Sequence, residues 1–363
     1  MNAEMKIGTK EAMGLLAMIM SGKIFLSYPR DMAALGGPAG WMIVVLAGVL
    51  SLIGLYFMVA LLRKFPSQNI VEIGRKLGGA YIGSIPGLVI FLFFLILTSL
   101  TLRKYSETFI LTLLPRTPIS VISFFSIGIM LYAAVLGIET LTRVAWFFAP
   151  YLLTALVIIL FFSFTKGDPG QLAPVFGPGP VALLKHSLAN SSLFGELLLL
   201  PLIAPLIRKQ DRLGKVGGLS LAISISIIAV VVLGNVLVFN DREASRMIFP
   251  IFQLARLINF GEFIQRVESV FVFLWFFAAG VQLCGLFYGI VTSFAQTFRI
   301  SNYRPLVFPL SILVFTISLL PGSMSASMLF NDFILSGFYA AIAFGLPFLL
   351  WVFAVIFKKG ETQ

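Results

Sequence analysis

Apolar runs of about 20 residues or more recur along the whole chain, separated by short loops rich in charge, proline and glycine. A helix needs roughly that length to cross the hydrocarbon core of a bilayer. The alternating hydrophobicity of barrel strands is absent, so these runs read as transmembrane helices. Composition agrees, because 59% of the 363 residues are hydrophobic and only 11% are charged, with a mean hydropathy of +1.02. A soluble domain of this length does not have that balance. The first run has no small-residue cleavage site and leads directly into a second run, so it is expected to be retained as a span.

The expected spans cover 9–35, 38–64, 82–113, 118–137, 143–165, 180–207, 215–240, 264–297, 305–321 and 332–357. They form a single all-helical transmembrane domain over 1–363, with one half at about 9–165 and a second at about 180–357. An even number of crossings places both termini on one side, and the basic residues decide which. Loops on the side of the termini carry a net charge of about +9 and those opposite about +2, so the N- and C-termini are expected to be cytoplasmic. The overall charge of +11 is then mostly a topology signal. No basic stripe interleaved with aromatic residues lies outside the membrane loops, and no nucleic-acid partner is expected. In the loop at 241–263, the stretch FPIFQLARLINFGEF places Ile251, Leu254, Leu257 and Ile258 at helical spacing. That pattern suggests a short helix, either interfacial or, the blander reading, a plain loop helix.

Cys284 is the only cysteine and His186 the only histidine, so no disulfide, thiolate metal cluster or Cys/His dyad can form within one chain. Glycine-rich phosphate loops, a nucleophile elbow and hydrolytic carboxylate pairs are missing. An enzyme is not expected, and neither a cofactor nor a metal site is implied.

Two charges fall well inside the expected spans: Lys23 in the first and Glu196 in the sixth. A lone lysine near mid-bilayer costs about 2.5–3.5 kcal/mol on insertion scales, so such residues face a partner or a cavity. Lys23 lies roughly 21 Å along an ideal helix from the start of its span, too deep for a simple reach to the interface. Each charge directly follows a glycine, as SGKIF (Gly22, Lys23) and LFGEL (Gly195, Glu196). Glycine beside a charge weakens the helix and frees backbone groups. The two motifs open two five-span halves, which is the layout of an inverted-repeat transporter of the LeuT kind with broken helices 1 and 6. A Lys23–Glu196 pair facing across the break would account for both charges with one contact. Arg103 and Glu107, four apart near the outer end of span three, are expected to pair or snorkel.

Several segments carry a more specific likeness: GGPAGWMIVVLAG (36–48), PRTPISVI (115–122), LFGELLLLPL (193–202), the long run FPIFQLARLINFGEFIQRVESVFVFLWF (249–276) and YPRDMA after the first break. In these, in order and over essentially the whole chain, the sequence resembles the spore germination permease family. Members form the B subunit of the germinant receptor within the amino acid–polyamine–organocation superfamily. The resemblance implies ten spans in a LeuT-type fold and recognition of a small germinant, typically an amino acid. It further implies an A subunit and a lipoprotein C subunit as partners, in the spore inner membrane. By the same resemblance the ligand pocket is lined by Ser21, Gly22, Lys23, Ile24 and Phe25 of span one and by Ser191, Ser192, Phe194, Gly195 and Glu196 of span six. Span three would add Phe93, Leu97, Thr98 and Thr101, and span eight Trp275, Ala279 and Gln282. Lys23 departs from the usual glycine-rich, uncharged first break of the family. It stands either as a fixed counter-ion for Glu196 or as the group that takes a ligand carboxylate. A second function class, an autonomous amino acid transporter of the same fold, stays open because fold alone does not separate the two.

Overall fold

A computed structural model describes residues 7–257, 267–322 and 338–357, with side chains described from 272 and from 339 in the last two stretches. Ile258 and Arg266 of the long family-like run lie outside the described residues. Among the described residues the secondary structure is helical apart from one isolated bridge, Ile7 to Ile207.

The first span is split into α1 (Thr9–Ser21), a 3-10 turn Gly22–Phe25 and α2 (Tyr28–Gly36). Leu26, with φ −103° and ψ −158°, is the extended residue that breaks it, and Pro29 restarts the helix at its first turn. Then come α3 (Gly40–Lys64), α4 (Ile70–Ile82), α5 (Ile85–Thr112), α6 (Ile119–Leu136) and α7 (Ile138–Thr165). The sixth span is α8 (Pro180–Ala189), a long 3-10 stretch Ser191–Leu198 and α9 (Leu199–Ile203). It is followed by α10 (Leu213–Ala244), α11 (Pro250–Arg256), α12 (Val267–Phe298) and α13 (Arg304–Leu319). A π-helical turn Ala341–Gly345 leads into α14 (Leu346–Ile356). Among the described residues, seven helical runs are long and apolar enough to cross a membrane, and Arg304–Leu319 and Ala341–Ile356 are shorter apolar helices.

The packing repeats itself between the halves. α1 packs on the sixth-span 3-10 stretch, α3 on α10, α5 on α12 and α6 on α13, so each of the first four spans meets the one five places later. α7 packs on α1 just as the π-turn before α14 packs on the sixth-span stretch. That is a 5+5 inverted repeat, with both breaks at its centre. Close approach at the centre relies on small residues: a Cβ on Gly285 of α12 would run into Ile19 of α1, and one on Gly289 would meet Phe94 of α5 at 2.9 Å.

The repeat extends to a helix the hydropathy pattern does not reveal. α4 follows the second span as α11 follows the seventh, and α4 is set by a capping box. Asn69 Oδ1 accepts from the backbone N–H of Val71 (3.0 Å) and Glu72 (2.9 Å), and Glu72 Oε2 accepts from Asn69 N–H (3.0 Å). Of the two readings of the 241–263 loop, the structure has the plain loop helix, α11, rather than an interfacial one. α11 buries Ile251, Leu254 and Ala255 against α10, α12 and the first break, so its apolar stripe faces protein. Cys284 is a buried residue of α12.

Candidate functional site

The two breaks bring their charges together. Lys23 Nζ lies 2.8 Å from both Glu196 Oε1 and Oε2, and it also donates to the Leu193 carbonyl in the second break. Lys23 is 3% and Glu196 4% exposed, so the pair is sealed inside the bundle. The 3-10 geometry explains how a lysine can reach it: three residues per turn send Gly22, Lys23 and Ile24 to three different faces. The Lys23 ammonium also sits over the Tyr28 ring at 5.3 Å and the Phe194 ring at 6.0 Å, which offset part of its lost hydration.

The glycines are required by close approach. A Cβ on Gly22 would run into the Gln282 side chain of α12, and one on Gly195 would stand 3.2 Å from Phe93 Cζ. The Tyr105 hydroxyl of α5 donates at 2.6 Å to Gln282 Oε1 and at 3.0 Å to the Gly22 carbonyl, so α5, α12 and the first break are tied at one point. Above them lies an aromatic group. Trp275 stacks on Phe109 with centroids 4.9 Å apart and reaches Phe25 at 6.3 Å and Tyr105 at 6.5 Å. On the other side Phe93 meets Tyr339 edge-on at 4.8 Å. Trp275 Nε1 and the Tyr339 hydroxyl are buried without a hydrogen-bond partner among the described residues, two donors suited to oxygens of a guest.

Of the residues singled out from the sequence, the structure gathers Gly22, Lys23, Phe25, Phe93, Phe194, Gly195, Glu196, Trp275 and Gln282 around this point. It turns others away. Ser21 donates to Ser224 Oγ of α10 at 3.2 Å, and Ile24 faces a groove between α1, α7 and α10. The Thr98 hydroxyl is spent on its own helix, donating to the Phe94 carbonyl at 2.6 Å. Ser191 bonds back to Leu188 at 2.8 Å, while Ser192 and Thr101 are buried and Leu97 is half-buried. Ala279 lines a small cleft with Tyr105, Phe109 and α6.

Tyr28, Tyr105, Phe109 and Tyr339 are site residues that the sequence reading passed over. Tyr105 stands seven positions after Thr98, on the same face of α5, and that spacing was the available signal. Lys23 and Glu196 are not the only buried charges of the spans, and the expected pairing of Arg103 with Glu107 is observed. Arg103, Lys104 and Glu107 of α5 are each 7% exposed, with Arg103 Nε paired to Glu107 Oε1 at 2.7 Å. Lys104 Nζ lies 5.7 Å from the same Tyr28 ring that Lys23 contacts. α5 is packed between α12, α13 and α6, and that tertiary cover is something an apolar window cannot register.

Comparison with known proteins agrees with this architecture. Among solved structures, MhsT in complex with L-phenylalanine superposes with a TM-score of 0.69 at 17% identity, covering 96% of this chain and 89% of that one. Mhp1, a nucleobase-cation-symport-1 family transporter in a closed conformation, gives 0.64 at 13% identity over 94% and 78%. These likenesses establish the LeuT-type fold. In sequence, spore germination protein A2 of Bacillus subtilis (strain 168) is 27% identical over 363 residues, 99% of this chain and 98% of that one. Spore germination proteins B2 and KB of the same organism are 23% and 24% identical, each over 99% of this chain and covering 99% and 96% of their own lengths. The model of the family described as spore germination protein matches residues 6–326, and the chain belongs to that family.

Proposed function

We propose that the protein is the germinant-sensing B subunit of a spore germinant receptor, not an enzyme, and that it binds an amino acid between the broken first and sixth helices. In this reading it sits in the spore inner membrane with cytoplasmic termini and passes the binding event to an A subunit and a lipoprotein C subunit. The observation that carries the reading is the sealed Lys23–Glu196 pair at the meeting point of the two breaks. An amino acid zwitterion presents the two charges that this pair already satisfies. Its carboxylate takes Lys23 and the buried donors Trp275 Nε1 or Tyr339 hydroxyl, and its ammonium takes Glu196 and freed backbone carbonyls. Phe25, Phe93, Phe194 and Trp275 then bound the side-chain space. Binding exchanges one internal ion pair for two intermolecular ones, so it separates the breaks, and that movement is the signal.

The test is a thermal-shift titration of the purified protein with a panel of amino acids, sugars and nucleosides. At a hundredfold excess over its dissociation constant a ligand of this site stabilises by about 2.7 kcal/mol. The double variant Lys23→Met/Glu196→Gln, which leaves neither charge unpaired, is expected to stay folded and lose that shift. A ligand that stabilises the double variant as well as the wild type overturns the placement. A second reading, an autonomous amino acid transporter, draws on the fold shared with the transporter Mhp1. Uptake of the stabilising ligand into proteoliposomes by this chain alone favours it, and binding without uptake favours the sensor.

A further inference from the structure

Behind the first break, on the side away from Glu196, lies a groove of about 260 Å3 between α1, α7 and α10. Its floor is made of small and flexible residues, Gly14, Ala17, Met18 and Ala149, and it ends against Gly22, Ile24 and Phe25 of the break. Its polar atoms are already used. Ser21 donates to Ser224, whose hydroxyl lies 3.2 Å from the Ala17 carbonyl and 2.9 Å from that of Ser220. A wall of that kind offers water nothing to bond, and an apolar cavity of ~150 Å3 already stays dry and takes hydrocarbon.

The mouth of the groove opens between α7 and α10, where Trp146, Leu153, Leu219 and Ile223 are 47%, 42%, 41% and 41% exposed. These side chains continue the apolar outer surface that includes Val157 and Val230, the surface a membrane-spanning helix presents to lipid. The medium against the mouth is therefore hydrocarbon. Depth matches as well. The 13 residues of α1 rise about 20 Å from Thr9, which places the inner end of the groove near the middle of a ~30 Å core, where acyl chains terminate.

We infer that this groove is a binding site for one acyl chain of a bilayer lipid, drawn from the leaflet on the side of the termini, whose end packs against the first helix break. The chain fills the space into which α1 would otherwise move and so presses Gly22 and Lys23 toward α12 and the sixth span. The site is separate from the ion pair, since Lys23 and Glu196 do not line it.

The experiment reconstitutes the full chain in phosphatidylcholine nanodiscs containing a phosphatidylcholine with a diazirine at the end of one acyl chain. After irradiation, the labelled residues are mapped by mass spectrometry. Label is expected on the buried residues Ala17, Met18 and Ile24 as well as on exposed Leu153 and Ile223. A probe with its diazirine near the headgroup should shift the buried label toward Met13. Ala149→Phe, which fills the groove, should cut the buried label at least fivefold while leaving exposed Val157 unchanged, and Leu153→Phe at the mouth serves if that variant unfolds at a lower temperature. Label confined to exposed residues, or buried label undiminished in both variants, overturns the proposal. So does equal labelling of the floor by a water-soluble diazirine, which would mean that the groove is wet.

Discussion

The first break is four residues of 3-10 helix, Gly22–Phe25, whereas the sixth-span break runs for eight, Ser191–Leu198. The first carries the cation and is fixed from outside itself, by Tyr105 on the Gly22 carbonyl and by Gln282 pressed against Gly22. The second carries the anion and is buried from Ser192 through Leu198, held mainly by packing against α3, α1 and the π-turn before α14. Runs of 3-10 helix longer than three or four residues are uncommon. The longer one persists here because its surroundings enclose it. Two halves with one fold have thus acquired opposite charges and opposite means of support. One break is hung from a few polar contacts and the other is cast in a mould.

The contrast is broken most severely by removing one charge. Lys23→Met leaves a buried carboxylate without its partner and is expected to cost about 3–5 kcal/mol in equilibrium unfolding, with most of that restored by adding Glu196→Gln. If the double variant is as unstable as the single, the pair is not the unit described. Next in size, Gly22→Ala should destabilise by about 1–3 kcal/mol because its Cβ meets Gln282, and Gln282→Ala should relieve it. Gly195→Ala should cost less, since the nearest atom is the tip of the Phe93 ring at 3.2 Å. A reversed order in thermal unfolding would mean that the second break is the tighter one. Tyr105→Phe removes the donor to Gly22 and Gln282 and should cost about 1–2 kcal/mol, more than Ser51→Ala, which loses the longer 3.3 Å bond from the Ser51 hydroxyl to the Ser191 carbonyl at the second break. Smallest, Ser21→Ala loses a bond to Ser224 and should cost about 0.5–1 kcal/mol.

The bundle and the ion pair were legible in the sequence because each rests on a large single energy. Burying an apolar run sets a span, and placing Lys23 or Glu196 in hydrocarbon demands a partner. The rest depends on smaller and more local terms. α4 is amphipathic and short, so hydropathy hides it, although Asn69 followed by Glu72 three places on was a readable cap. Ser21 and Ile24 could not be told from Lys23 as lining residues without the pitch of the break, which rotates successive side chains by a third of a turn. Tyr339 reaches the centre through the fold of a distant segment and nothing in its local sequence marks it, whereas Tyr28 opens the YPRDMA run five residues after Lys23 and was readable.

One property of the Lys23–Glu196 pair concerns the electric field across the membrane. One elementary charge moved through a potential of 100 mV does about 2.3 kcal/mol of work, enough to shift a conformational equilibrium by nearly two orders of magnitude. A lysine and a carboxylate held 2.8 Å apart move together as a neutral dipole and do almost none. Motion that keeps the pair intact therefore does almost no work against the membrane field, and a variant stripped of either charge would become a voltmeter.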